Sequence, residues 1–314
     1  MNITIVGGAG FIGTNLAIHL SQKKENKITL IDRGESYFNT LRSLKLPRVD
    51  FKVAPFSIDA DFDSQVKDQD VVYHLASTVI PGTSNQNIPL ELEANIIVTA
   101  KLLDACVRQN VKKVIFISSG GAVYGKKGTC PITEDTVTYP ISSYGIQKIT
   151  IEKLLYLYRY QHNLDYRVVR LSNPYGPYQR PNGKLGVITT FVYKALTDGK
   201  LDVYGDGSVI RDFIYIEDAI KGIERIADGE SRFRTFNLGC GKGTSINEVI
   251  TAIKETIRDD LTVNYISARD ADVPVNYLNI SRYENNYGKL ESVGLREGIK
   301  RTAEFMKKSD MIKE

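Results

Sequence analysis

Residues 3–13 read ITIVGGAGFIG, a β-branched run that ends in glycines and leads straight into a helical pattern. The helical pattern is FIGTNLAIHLSQ (11–22), with apolar residues at 12, 16 and 20. Gly7, Gly10 and Gly13 are spaced by three between strand and helix, the context a dinucleotide-binding turn requires. One glycine lets the chain turn, one lets backbone approach a pyrophosphate, and one lets helix pack on strand. The helix start then presents free N–H groups and positive potential to phosphate. Outward from this turn the same alternation continues. KITLID (27–32), the weaker VDFKVA (49–54), DVVYHLA (70–76), KVIFISS (113–119) and YRVVRLS (166–172) read as strands. Residues 91–109 and 143–162 read as long helices. Continuous apolar strands alternating with helices predict an α/β fold, a Rossmann-type doubly wound parallel sheet with ligands at its carboxyl edge.

Asp32 ends the second strand, nineteen residues after Gly13. A carboxylate there bonds ribose hydroxyls and repels a 2′-phosphate, which favours NAD over NADP, although Arg33 is adjacent. Tyr144 and Lys148 are four apart in a helical stretch and share a face. A tyrosine hydroxyl, with a pKa near ~10, is a poor base unless a neighbouring ammonium lowers it. The pair lies just after the strand whose end carries Ser118 and Ser119.

Composition narrows the remaining classes. Forty-one Lys and Arg against 37 Asp and Glu give a net charge of +4 spread along the chain, no case for nucleic acid or a membrane surface. Three scattered cysteines and three isolated histidines suggest neither a disulfide frame nor a metal site, and fit a cytoplasmic location. Met1 is followed at once by an apolar strand, which suggests no signal peptide, and no apolar run approaches the ~20 residues that span a bilayer. After about residue 173 the texture becomes turn-rich, with NPYGPYQRPNGK (173–184) and VYGDGS (203–208). The expected organisation is an NAD-binding domain over 1–172, its sheet completed from within 210–240, and a smaller interleaved α/β substrate lobe over 173–314.

Eight motifs run in order along nearly the whole chain. They are GGAGFIG, Asp32, HLAS (74–77), SSGGAVYG (118–125), YGIQK (144–148), RLSNPYGP (170–177), GDGSVIRDFIYIEDA (205–219) and RDADVP (269–274). With them the sequence resembles the extended short-chain dehydrogenases/reductases of the NAD-dependent epimerase/dehydratase family. Within that family it is most like the nucleotide-sugar 4-epimerases typified by UDP-glucose 4-epimerase. The resemblance implies that Tyr144 takes the proton of the sugar 4-hydroxyl and that Lys148 holds the nicotinamide ribose and tunes Tyr144. It implies cofactor contacts from Gly7, Gly10, Phe11, Ile12, Gly13, Asp32, Arg33, Leu75, Ala76, Ser77, Asn95 and Ser118. Ser57 and Ile58 stand where the family usually has Asp and an aliphatic residue near the adenine. For a UDP-sugar substrate it implies Asn173, Tyr204, Arg211, Arg269, Asp272 and Asn276, the two arginines on the diphosphate and Asn276 at the position that limits sugar size. A homodimer through 91–109 and 143–162 is also implied, although Leu154, Leu155 and Leu157 are equally well core.

The chain departs from the pattern in one place. The family's serine or threonine four residues before the tyrosine of VYG is Gly120 here. Either the double glycine bends the backbone so that Ser119 reaches inward, or Tyr144 works alone or with water; the first is preferred. Gly121-Ala122 precedes VYG where 4,6-dehydratases carry Asp-Glu, which argues against dehydration. A 4-reductase more often uses NADP, against Asp32, and non-catalytic relatives typically lose the tyrosine or the lysine. The preferred sugar stays open between UDP-glucose/UDP-galactose, UDP-GlcNAc/UDP-GalNAc and a uronic acid.

Overall fold

A computed structural model of the chain describes residues 1–126, 129–181, 186–268 and 273–309. In chain order the strands are β1 (Asn2–Val6), β2 (Lys27–Asp32), β3 (Val49–Val53), β4 (Val71–His74), β5 (Lys113–Ser119) and β6 (Asp165–Leu171). They continue with β7 (Asn173–Tyr175), β8 (Lys200–Tyr204), β9 (Ile210–Tyr215), β10 (Thr235–Leu238), β11 (Gly243–Ser245), β12 (Thr262–Ile266) and β13 (Val275–Asn276). The main sheet has seven strands in the order β10-β6-β5-β4-β1-β2-β3. β1 pairs in parallel with β2 and β4, β2 with β3, and β4 with β5. This is the doubly wound order of dinucleotide-binding folds, and its direction reverses between β1 and β4.

The chain divides into two compact units. The first comprises Met1–Val123, Pro140–Arg170 and Ile226–Phe236. In its core Val72, Val114 and Phe116 from the sheet pack with Leu102, Leu103 and Cys106 and with Ile151 and Leu155 from two helices. Fully burying an aliphatic side chain of this kind contributes ~1.5–3 kcal/mol. The second unit comprises Tyr124–Tyr139, Leu171–Arg225 and Asn237–Glu314. There β9 is the hub of a small sheet, paired with β7, β11 and β13, while β8 pairs with β12. Its core joins Ile188, Val192, Val249, Ile253, Ile299 and Met306 with Phe213 of β9.

The helix expected over 91–109 is interrupted. Helix Ile88–Leu92 runs into a π turn, Glu93–Ile97, before helix Val98–Arg108 begins. The side chain of Asn95 inside that turn donates to the Glu91 carbonyl at 2.9 Å and to the Thr78 hydroxyl at 2.7 Å, and accepts from the Thr78 N–H at 2.9 Å. A long-range tie of this sort takes the side chain into the helical ladder, and π turns of one step commonly mark functional positions.

Candidate active site

The turn after β1 is close-packed around missing side chains. Gly7 has φ of +84°, and a Cβ there would lie 2.8 Å from the Ala76 nitrogen in the loop after β4. A Cβ on Gly13 would lie 2.6 Å from the Gly8 oxygen and 2.7 Å from the Gly7 oxygen. Gly10 precedes helix Phe11–Leu20 with no side-chain cap, which leaves the N–H groups at the Phe11–Ile12 start for a ligand. Asp32 accepts from the Ala9 N–H at 3.1 Å and from the Arg33 N–H at 2.8 Å, so its carboxylate is held at the rim of this turn. The Arg33 guanidinium stacks on Tyr37, 5.0 Å from the ring centroid, and donates to its hydroxyl at 2.7 Å. A glycine cradle, an open helix start and a carboxylate at the end of β2 together fit NAD.

The remaining residues expected at the cofactor line the same sheet edge or support it. The Leu75 N–H donates to the Val6 carbonyl, and the Ser77 hydroxyl to the Val79 carbonyl at 2.7 Å. Asn95 is buried, and its side chain fixes this loop through Thr78. The Ser57 carbonyl closes a turn by accepting from the Ala60 N–H, and Ile58 is exposed. His74 at the end of β4 bonds Thr99 at 2.9 Å; burial and then Lys148 push it down to about 3, so it is neutral.

Tyr144 and Lys148 lie on helix Ser143–His162, whose start is fastened from several sides. The Ser142 hydroxyl accepts from the Gly145 N–H at 3.2 Å, and the Asn85 side chain accepts from the Ser143 N–H at 2.7 Å. The Ser143 hydroxyl bonds the Glu91 carboxylate, which also receives the N–H groups of 85, 86 and 87. The backbone next to Tyr144 is thereby held in place. Lys148 is buried; its ammonium donates to the Ile117 carbonyl at 2.9 Å and sits 5.5 Å from the centre of the Tyr144 ring. Burial brings it down to about 8, against the pull of Glu152. Burial pushes Tyr144 up to about 12, and a hydrogen bond to the Ser119 side chain works in the opposite direction.

Ser119, rather than a residue at 120, therefore stands against the tyrosine hydroxyl. Its neighbour is differently engaged. The Ser118 hydroxyl donates to Glu152 at 2.6 Å, and Arg170 meets the same carboxylate through Nη2 at 2.7 Å and Nε at 3.1 Å. Ser119→Ala is expected to lower kcat by about 10–100-fold with KM little changed, the worth of one hydrogen bond to a charged group. Steady-state kinetics on the variant checks this; an unaltered kcat would remove Ser119 from the site.

In the second unit, Arg211 on β9 is the register partner of Asn276 on β13, and β7 pairs further along β9 with Asn173 opposite Phe213. The Asn173 amide donates to the Asp212 carbonyl at 2.9 Å. Arg211 Nη1 donates to the Ile210 and Val273 carbonyls at 2.9 and 2.5 Å. Asn276 is buried, and Tyr204 at the end of β8 is exposed. Arg269 and Asp272 lie outside the described residues. The sequence reading missed Asp212, a buried carboxylate of this unit. It accepts from the N–H groups of Cys240 at 2.7 Å and of Gly241 and Leu278 at 3.2 Å, and burial pushes it up to about 6 against those donors. It also missed Glu91 and Glu152, although Glu152 stands four residues after Lys148.

Fold and cradle define a dinucleotide-binding protein with a tyrosine–lysine pair at the carboxyl edge of its sheet. The NAD dependent epimerase/dehydratase family model matches residues 3–239, and the chain belongs to that family. It is similar to a putative UDP-glucose 4-epimerase of Methanocaldococcus jannaschii, 33% identical, covering 98% of this chain and 99% of the relative. Among solved structures it is similar to a UDP-glucose 4-epimerase from Thermotoga maritima with UDP-glucose. That match has a TM-score of 0.90 and 30% identity and covers 98% of this chain and 99% of that one. It is also similar to a UDP-glucuronic acid 4-epimerase from Bacillus cereus in complex with UDP-4-deoxy-4-fluoro-glucuronic acid and NAD. There the TM-score is 0.89 and the identity 27%, covering 98% and 99% of the two chains. The chain is thus an NAD-dependent enzyme of the UDP-sugar epimerase/dehydratase group. Among the described residues no helix is long and apolar enough to cross a membrane.

Proposed function

We propose that this chain is a UDP-sugar 4-epimerase that interconverts gluco and galacto configurations, with UDP-glucose and UDP-galactose as the first substrates to test. The observation that supports this best is Tyr144 hydrogen-bonded to Ser119, with the Lys148 ammonium beside its ring. Tyr144 accepts the proton of the sugar 4-hydroxyl, Ser119 holds the same hydroxyl, and Lys148 stabilises the tyrosinate. NAD, held by the glycine turn and Asp32, would supply the hydride acceptor and donor for C4. Tyr144 gives the proton back once the 4-keto sugar has presented its other face. The segment before VYG offers Gly121 and Ala122 and no carboxylic acid, so the acid–base pair needed for water loss is missing there. Arg211, Arg269, Asp272, Asn173 and Tyr204 are assigned to the UDP portion and Asn276 to the sugar.

The test is to incubate the purified protein separately with UDP-glucose, UDP-GlcNAc and UDP-glucuronate and follow the anomeric protons by NMR. A galacto-configured product identifies 4-epimerisation and its preferred sugar. Absence of product from all three, with NAD bound, contradicts the proposal and favours a reductase or a non-catalytic role.

The protein is further proposed to be a homodimer through helix Ser143–His162 and the segment around the π turn. Tyr156, Leu157 and Tyr160 on that helix and Ile97 in the turn are exposed, Tyr160 by 80%. Large exposed apolar groups clustered on a helix pair suit a protein interface. Tyr160→Glu is expected to convert a dimer in sedimentation equilibrium to monomer; an unchanged mass would exclude this face.

A further inference from the structure

We propose that Glu152 is a positioning residue of the reaction, its carboxylate gripped by Arg170 and Ser118 so as to hold a fixed negative charge one helical turn from Lys148. This rests on the reading of Tyr144 and Lys148 as the acid–base pair.

Tyr144, Lys148 and Glu152 follow one another at intervals of four on helix Ser143–His162, so they lie along one face. Lys148 is 5% exposed and Glu152 7%. A buried carboxylate is costly unless paired and hydrogen-bonded. Here the pairing comes from two other strands. Arg170 of β6 reaches both carboxylate oxygens, and Ser118 of β5 donates to one of them at 2.6 Å. The carboxylate therefore has little freedom to turn.

The surroundings of Lys148 explain what such a fixed anion does. From β5 the ammonium meets the Ile117 carbonyl and the face of Phe116, 4.7 Å from the ring centroid. From β4 it faces His74, which is neutral. From its own helix it faces Tyr144 and Glu152. Arg170 stands behind Glu152 and is a cation. The anion acting on Lys148 is Glu152, and it opposes the loss of charge that burial promotes. With Glu152 neutralised, Lys148 is left with burial and a second cation, both of which favour its uncharged form. Tyr144 then loses the positive neighbour that stabilises its ionised form.

The test uses full-length, NAD-loaded Glu152→Gln protein and two readouts. In kinetics with UDP-glucose across neutral to alkaline pH, kcat is expected to fall about tenfold with KM within about twofold. The alkaline limb of the profile moves to lower pH by about one unit. In ¹³C NMR of lysine-labelled protein, the signal assigned to Lys148 by its loss in Lys148→Arg is expected to titrate at lower pH than in the parent. This second readout needs no turnover, so it separates failure of this inference from failure of the epimerase reading. Glu152→Gln leaves Arg170 unpaired and risks misfolding, so Glu152→Gln/Arg170→Met, which removes both charges, is measured alongside. A Lys148 midpoint the same in Glu152→Gln as in the parent or, where that variant does not fold, the same in Glu152→Gln/Arg170→Met as in Arg170→Met alone, overturns the proposal and leaves Glu152 a structural ion-pair member.

Discussion

Tyr144→Phe is expected to lower kcat by ~10³-fold while the protein keeps its NAD and melts near the temperature of the parent. A positioned general acid–base group contributes ~10²–10⁴ in rate. In the proposed mechanism the hydroxyl takes and returns the substrate proton, and Ser119 and water are far weaker bases. Structural loss should be small. Phenylalanine keeps the ring beside the Lys148 ammonium, and the helix start is held by Ser142, Asn85 and Glu91 independently of the hydroxyl. The measurement is kcat with UDP-glucose beside the absorbance of released cofactor. Turnover within about tenfold of the parent would remove Tyr144 from the role of base.

Gly13→Ala is expected to weaken NAD binding by ~10–100-fold. The added Cβ would lie 2.6–2.8 Å from backbone atoms of Gly7 and Gly8, where no side chain can swing aside. Helix Phe11–Leu20 must then move off β1, or the turn must open, and the helix start no longer points at a pyrophosphate. Overpacking of this kind costs about 1–3 kcal/mol, or ~10–100-fold in affinity where binding needs the original turn. Calorimetric titration of the cofactor-stripped variant with NAD, with a melting curve alongside, measures both effects. Affinity equal to the parent's would mean that this turn does not hold the dinucleotide.

What was legible in the sequence follows from where each signal is stored. β1, β2, β4, β5 and β6 lie within two residues of the runs that announced them, because strands covered on both faces must be apolar throughout. The glycine turn was legible because its steric demand falls on the residues that form it. β7, β11 and β13 were not: each has two or three residues and exists through its register with β9. The π turn was hidden because it depends on Asn95 reaching Thr78, seventeen positions away in the chain. At the site, Tyr144 and Lys148 were legible from helical spacing, whereas Glu152 reads as an ordinary surface charge until Arg170 and Ser118 are brought to it. Gly120 left the inward hydroxyl undecided between Ser119 and none, and only the folded chain shows Ser119 against Tyr144. Asp212 was overlooked because its partners, at 240, 241 and 278, are far along the chain.

The proposed epimerisation requires a reversible oxidation at C4 with the hydrogen returned to the same carbon. The most direct test is to incubate the protein with UDP-glucose deuterated at C4, in ordinary water, and locate the deuterium in the product by ²H and ¹H NMR. The expected product is UDP-galactose with deuterium retained at C4. Deuterium found at C6, deuterium lost to water, or unchanged substrate would each contradict it.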